Sequence, residues 1–289
     1  MEVSNNMETN NTIGVLFADR ANSGLTHDYF AGILDSFKRT VEERGYNICF
    51  LNSNQKNENR KTYLEQANMR GFSGVVIACI EYQDAEVREL LDSGIPIVTI
   101  DEDIDNITTV KSDNQQGIRN LVRYLAQMGH KRIAYIIGDD NTVTSIRLNG
   151  FLEECKELGI EVPEEYIRRS LYRDMKKASY ETEQLLRLEN PPSCILYSDD
   201  FAAIGGINIL RARGMEIPDD ISVTGYDGLN ILAQYEPRLT TVKQNSVEIG
   251  RQAAIKLMEQ IENPGKRIAE TIVVDTVLEK GRTVSRVYY

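Results

Sequence analysis

Apolar positions along this chain fall into two kinds of run that take turns. One kind is short and nearly continuous: TIGVLFA at 12–18, NICFL at 47–51, GVVIA at 74–78, IPIVTI at 95–100 and RIAYII at 132–137. The other recurs at helical spacing, as at Phe30, Ile33, Leu34, Phe37 and Val41, where Gly45 ends it. The first kind predicts strands covered on both faces, and the second predicts amphipathic helices. Further strands are expected at 108–111, 194–197, 221–225, 240–243 and 272–277. Helices are expected at 28–44, 59–69, 85–91, 115–127, 144–158, 178–188, 201–213 and 247–261.

Strands alternating with helices mean βαβ units and parallel sheets. The strands are too many for one ordinary sheet, and a break near 111–114 separates two similar blocks. The expected fold class is therefore α/β, with two doubly wound parallel-sheet lobes. In open sheets of this kind the loops after the C-terminal strand ends build the ligand site. Two lobes facing each other would put such loops on both walls of one cleft, a favoured place for a small-molecule pocket.

Composition narrows the function. The chain has 289 residues, with 41% hydrophobic and 27% charged, an ordinary globular balance. No apolar run approaches the roughly 20 residues that span a bilayer, so no membrane partner is expected. The net charge of −11 argues against nucleic-acid binding by this chain alone. The four cysteines are scattered without a CxxC pair, which points to a reducing cytoplasm. Residues 1–11 are polar, without the basic and apolar regions of a signal peptide. They read as a disordered tail or an expression remnant.

The strand ends carry the candidate chemistry. Asp19, Arg20 and Asn22 follow the first strand, and Asp101 follows Ile100. Asp139, Asp140 and, one helix turn on, Arg147 follow Gly138. Ser198, Asp199 and Asp200 follow Tyr197, and Tyr226 and Asp227 follow Gly225. Carboxylates accept hydrogen bonds from vicinal hydroxyls and arginine donates through a planar fork, so such a cleft suits a neutral polyhydroxylated ligand such as a sugar. Plainer roles stand beside each. Asp200 and Asp113 read as helix N-caps, Asp140 as a solvated loop residue, and Arg147 as a partner for Glu154 or another acid. Of the pair 199–200, the first is expected to face a ligand and the second its helix. His130 reads as a cap or surface residue. No phosphate loop, dinucleotide fingerprint, nucleophile elbow or metal-ligand spacing occurs, so neither an enzyme nor a cofactor or metal is expected.

Several segments together resemble the effector-binding core of LacI/GalR-type bacterial transcription regulators. They are DNQQG (113–117), LVRYLAQMGHKRIAYIIG (121–138), RLNGF (147–151), SDDFAAIGGINILRARGMEIPDDISVTGYDG (198–228) and YEPRLTTVKQ (235–244). The resemblance runs from about residue 12 to 284 and rests on the order and spacing of the blocks. It implies a type I periplasmic-binding-protein-like fold, the two lobes being joined by three crossovers near 112–113, 244–246 and 273–275. The lobes would be 12–112 plus 246–272 and 113–245 plus 273–289.

The same resemblance implies a sugar or related effector held between the lobes by Asp19, Asn22, Asp101, Arg147, Tyr172, Asp199, Asp227 and Gln244. It also implies a homodimer that meets operator DNA only through an N-terminal helix-turn-helix head, which nothing before Thr12 matches. The sequence departs from the pattern in three places. The first loop, DRANSGLTHDYF, lacks the usual proline and aromatic pair, Asp199 replaces a commoner Asn, and Tyr172 is the nearest match to an expected aromatic. The alternative is a periplasmic sugar-binding protein of an ABC transporter, on the same fold.

Overall fold

The structure, a computed structural model, describes residues 11–17, 24–54, 59–80, 82–230, 236–266 and 268–288. Asp19, Asn22 and nearly all of the expected N-terminal tail lie outside them. The chain divides into two compact units, one running to Lys111 and including Ser246–Val274, the other Ser112–Asn245 and Asp275 onward.

The first unit begins with β1 (Thr12–Phe17), α1 (Asp28–Glu42), β2 (Asn47–Phe50) and α2 (Tyr63–Arg70). It continues through β3 (Gly74–Ala78), α3 (Ala85–Leu91), β4 (Ile97–Ile100) and β5 (Thr108–Ser112). The expected helix from 59 starts at Tyr63, because Thr62 makes a capping box. Its hydroxyl accepts from the Glu65 N–H at 3.2 Å, and the Glu65 carboxylate accepts from the Thr62 N–H at 2.9 Å.

The second unit runs α4 (Asn114–Gln127), β6 (Ile133–Ile137), α5 (Thr142–Glu157), β7 (Ile167–Arg169), α6 (Met175–Leu186), β8 (Cys194–Tyr197), α7 (Asp200–Ala212), β9 (Ser222–Asp227) and β10 (Thr240–Lys243). The chain then makes α8 (Ser246–Glu262) and β11 (Thr271–Val274) in the first unit and β12 (Val277–Glu279) in the second.

Each unit holds a six-stranded sheet. The orders are β11-β5-β4-β3-β1-β2 and β12-β10-β9-β8-β6-β7. The pairings among β1–β5 and among β6–β10 are parallel, and β12 runs antiparallel to β10. The α/β class with two doubly wound sheets is what the alternating pattern predicted. Two elements differ. The run 272–277 is two strands, because Asp275 and Thr276 carry the chain from one sheet to the other. The short strand β7 (IRR) was not anticipated, since an edge strand of three residues leaves no apolar run.

The central strands are dry on both faces. β3 and β6 are buried at every position, as parallel strands sandwiched between helices must be. In the first unit Ile33, Phe37 and Val41 of α1 pack with Ile249, Ala253 and Leu257 of α8 on one sheet face. The two helices approach closely at Gly250, where a Cβ would stand 2.2 Å from the Ile33 carbonyl oxygen. In the second unit Phe151 and Tyr135 stack at 5.2 Å within a core shared by α4, α5 and β6.

Gly129 closes α4 at φ +91. His130 beyond it, read as a cap or surface residue, has a structural role but is not at the surface. It is buried, its Nδ1 lies 2.9 Å from the Ser193 hydroxyl and its Nε2 3.2 Å from the Ser285 carbonyl. Burial lowers its pKa, so the neutral ring ties the turn before β6 to Ser193, just ahead of β8, and to the C-terminal segment at Ser285.

Candidate functional site

The C-terminal ends of β6, β8 and β9 in the second unit bring five of the expected residues together: Arg147, Tyr172, Asp199, Asp227 and Gln244. Arg147 reaches them from the second turn of α5, which begins where Asn141 caps it by accepting from the Thr144 N–H at 2.8 Å. The Arg147 side chain is 3% exposed. Its Nε donates to Asn114 Oδ1 at 2.8 Å, its Nη1 donates to the Ser198 carbonyl at 3.1 Å, and its guanidinium lies 3.6 Å from the centroid of the Tyr226 ring. Among the described residues it makes no ion pair, and the expectation that it could pair with Glu154 is corrected. The Glu154 carboxylate instead takes Arg119 at 2.7 Å and Arg123 at 2.6 Å. Of its five N–H groups, Arg147 spends one at Nε and one at Nη1 on the protein, which leaves Nη2 for a ligand.

Asp227 ends β9 at φ +106, a conformation that L residues rarely adopt. Its Oδ1 accepts from Gln244 Nε2 at 2.7 Å, and its carbonyl from the Gln244 N–H at 3.2 Å. Desolvation pushes the Asp227 carboxyl up to about 7, with Arg147 opposing and Asp199 adding to the rise. A strained backbone beside a perturbed carboxyl is the combination that marks functional positions.

The pair at 199–200 departs from the expected division of roles in its capping. Asp199 is the N-cap of α7, accepting from the Ala202 N–H at 2.9 Å. Its second oxygen accepts from the Arg173 N–H at 2.9 Å and the Ser198 hydroxyl at 3.0 Å. Both oxygens of Asp199 thus accept hydrogen bonds from the protein. Asp200 is not the cap. It is fully buried, and it accepts from the Thr241 hydroxyl at 2.6 Å and the Leu229 N–H at 2.7 Å. Desolvation raises the pKa of both carboxyls, that of Asp200 further because the Asp227 charge adds to it. Gly225 makes room for Asp200: a Cβ there would lie 2.2 Å from its Oδ1.

Tyr172 covers the end of β6. Its ring lies against Gly138, where a Cβ would stand 2.5 Å from a ring carbon, and its hydroxyl is 2.9 Å from the Thr144 hydroxyl. Its N–H donates to the Asp139 carboxylate at 3.2 Å. Asp140 is exposed and Asp113 caps α4, as their plainer readings had it. In the first unit Asp101 has φ +65, and its carboxylate accepts the Tyr29 hydroxyl at 3.0 Å.

Two residues were not anticipated. Asn114 aims Arg147, and it sits in the DNQQG block beside the cap that drew attention instead. Arg173 stands at φ +61 with its guanidinium 3.9 Å from the centroid of the Phe201 ring. No sequence signal pointed to it. A cavity of about 820 Å³ in the first unit, lined by Tyr82, Arg88, Asp92, Glu102, Asp105 and Gln260 among others, contains none of the candidate residues.

Comparison with known proteins gives this geometry a family. Residues 122–284 match the periplasmic binding protein-like domain. The chain is 31% identical over 273 residues to the Probable HTH-type transcriptional repressor ExuR of Bacillus subtilis (strain 168), covering 93% of this chain and 80% of that protein. It is 29% identical over 265 residues to the HTH-type transcriptional repressor PurR of Mannheimia succiniciproducens, covering 90% and 78%. The structure of a LacI transcriptional regulator from Bacillus cereus subsp. cytotoxis, described as putative, superposes with a TM-score of 0.86 at 25% identity, covering 96% of this chain and 99% of that one. The chain belongs to the LacI family of transcriptional regulators and carries that family's periplasmic-binding-protein-like body.

Proposed function

We propose that this chain is the effector-sensing body of a LacI-type repressor and that it takes a sugar or related polyhydroxylated metabolite at the strand ends of its second unit. The observation that carries the reading is Arg147. It is a buried guanidinium, 3.6 Å from the centroid of the Tyr226 ring and aimed by Asn114, with donors left over near the Asp227–Gln244 pair. Donors and acceptors fixed side by side at desolvated strand ends recognise vicinal hydroxyls. The ligand acts by binding one conformation of the body better than another. The coupling is reciprocal, so DNA affinity and effector affinity change by the same factor. Operator contact falls to a helix-turn-helix segment of the kind for which the relatives are named, because a body with net charge −11 repels phosphate.

The body works as a cytoplasmic homodimer and performs no chemistry on its ligand. No described helix is long and apolar enough to cross a membrane. Among the described residues, Cys155 and Cys194 are buried thiols whose pKa burial raises, that of Cys155 to about 12, and such thiols are poor nucleophiles.

A thermal-shift screen of the whole chain against sugars tests the assignment. A ligand at 100 times its Kd adds about 2.7 kcal/mol to stability, a clear rise in melting temperature. Arg147→Ala and Asp227→Ala should each abolish that rise. If both variants bind a hit as the parent does, the site lies elsewhere.

A further inference from the structure

Asn114 joins two elements. It is the first residue of α4 and is 4% exposed. Its Oδ1 accepts from Arg147 Nε at 2.8 Å, and its Nδ2 donates to the Ser112 carbonyl at 3.3 Å. The arginine fixes the orientation of the amide, because an N–H donor meets only the amide oxygen. The first bond is short and charge-assisted, and the second lies beyond the usual range for an N–H donor on an oxygen. The amide is therefore held firmly by the arginine and loosely by the strand.

That strand is β5, and Ser112 is its last residue, where the chain enters the second unit. β5 lies in the first unit's sheet, with Val110 paired to Ile100 of β4. The Val110 carbonyl accepts the Asp101 N–H at 3.1 Å. Two carbonyls of one short strand, at 110 and 112, thus hold Asp101 and Asn114. Asp101 stands at φ +65, a conformation that L residues rarely adopt, so the bond to Val110 is part of what keeps it there. The start of α4 is fixed by other groups. Asp113 is the cap, accepting the Gln116 N–H at 2.9 Å, and Gly117 lies against the Tyr226 hydroxyl, which a Cβ would approach to 2.5 Å. The Asn114 amide is not spent on starting the helix, and it can follow the arginine without moving α4.

We propose that Asn114 is a positioning residue that couples Arg147 to β5, so that an effector engaging the guanidinium tightens β5 and the Asp101 backbone held on it. This rests on Arg147 being an effector contact. A ligand that takes the Nη2 donors shifts the guanidinium, and the short bond carries the amide with it. The slack bond to the Ser112 carbonyl is the one that shortens.

Hydrogen exchange of the full chain, read by mass spectrometry over segments 97–102 and 108–113, tests the link. Arg147→Met removes the donor and keeps an unbranched side chain in its place. It should speed exchange in both segments by about 3- to 10-fold, the worth of one hydrogen bond in a local opening. Asn114→Ala should do the same. The double variant should exceed neither single variant by more than about twofold, because both cut one path. Asn114→Asp keeps an acceptor for Arg147 Nε and loses the donor to Ser112, so it should match Asn114→Ala in these segments. Single effects that multiply in the double variant overturn the proposal. So does an Asn114→Asp variant that exchanges like the parent, or a segment 97–102 that both single variants leave unchanged. A sugar that raises the melting temperature of Arg147→Met as it does that of the parent overturns the effector reading itself, even where the exchange pattern is as expected. Multiplying effects break the link and leave that reading intact.

Discussion

At the scale of single residues, two adjacent aspartates show how far side-chain type can mislead. Asp199 and Asp200 follow the same strand and look alike in sequence, yet one caps a helix and the other is wholly buried under a loop. Strand direction and the first turn of α7 decide which oxygen meets which N–H, and neither is visible in the order of residues. Asp199→Ala should cost about 1–3 kcal/mol of stability, because the Ala202 and Arg173 N–H groups both lose their acceptor. Asp199→Asn should cost less, since the amide oxygen still caps. Denaturant unfolding of the two variants measures this. A loss no greater for Ala than for Asn would return Asp199 to the role of a free ligand contact.

At the scale of elements, periodicity located the helices and strands well, because each face that must be dry shows itself as apolar spacing. Boundaries moved where a polar side chain caught a backbone N–H: Thr62, Asn141, Asp174 and Asp199 each set a helix start. The contact of α1 with α8 depends on Gly250, which presents no side chain to the Ile33 carbonyl. Helix propensity favours Ala over Gly by about 1 kcal/mol, but a Cβ 2.2 Å from a carbonyl oxygen forces the helices apart. Gly250→Ala should therefore destabilise by about 1–3 kcal/mol, read as a lower midpoint in urea. A raised midpoint would mean that the helices separate without cost.

At the scale of the whole molecule, the strand-end carboxyls set a pH dependence. An unfolded aspartate titrates near pH ~3.9, whereas Asp227 titrates at about 7 in the folded chain. Between those values the folded chain keeps a proton that the unfolded chain has lost. Its contribution to stability therefore falls as pH rises through that window and is flat above it. Asp199 and Asp200 are shifted in the same direction. The melting temperature of the ligand-free chain should carry this downward component, and Asp227→Asn should shrink the slope without reversing it. A slope unchanged in that variant would show that Asp227 titrates as an ordinary exposed carboxyl.

The sequence by itself determined the alternation of strands and helices, the dryness of the central strands and the strand ends that lead to Arg147, Asp199 and Asp227, while Tyr172 and Gln244 came from the family resemblance. The alternation, the dryness and the strand ends follow from local periodicity and from where apolar runs stop, which a linear string records directly. Only the tertiary structure decided what each strand-end group touches. It turned Asp199 inward, paired Gln244 with Asp227, set Asn114 behind Arg147 and laid Arg173 over Phe201. Those partners come from elements far apart in the chain. Hydrogen bonds and ring contacts depend on ångström distances that residue spacing does not encode.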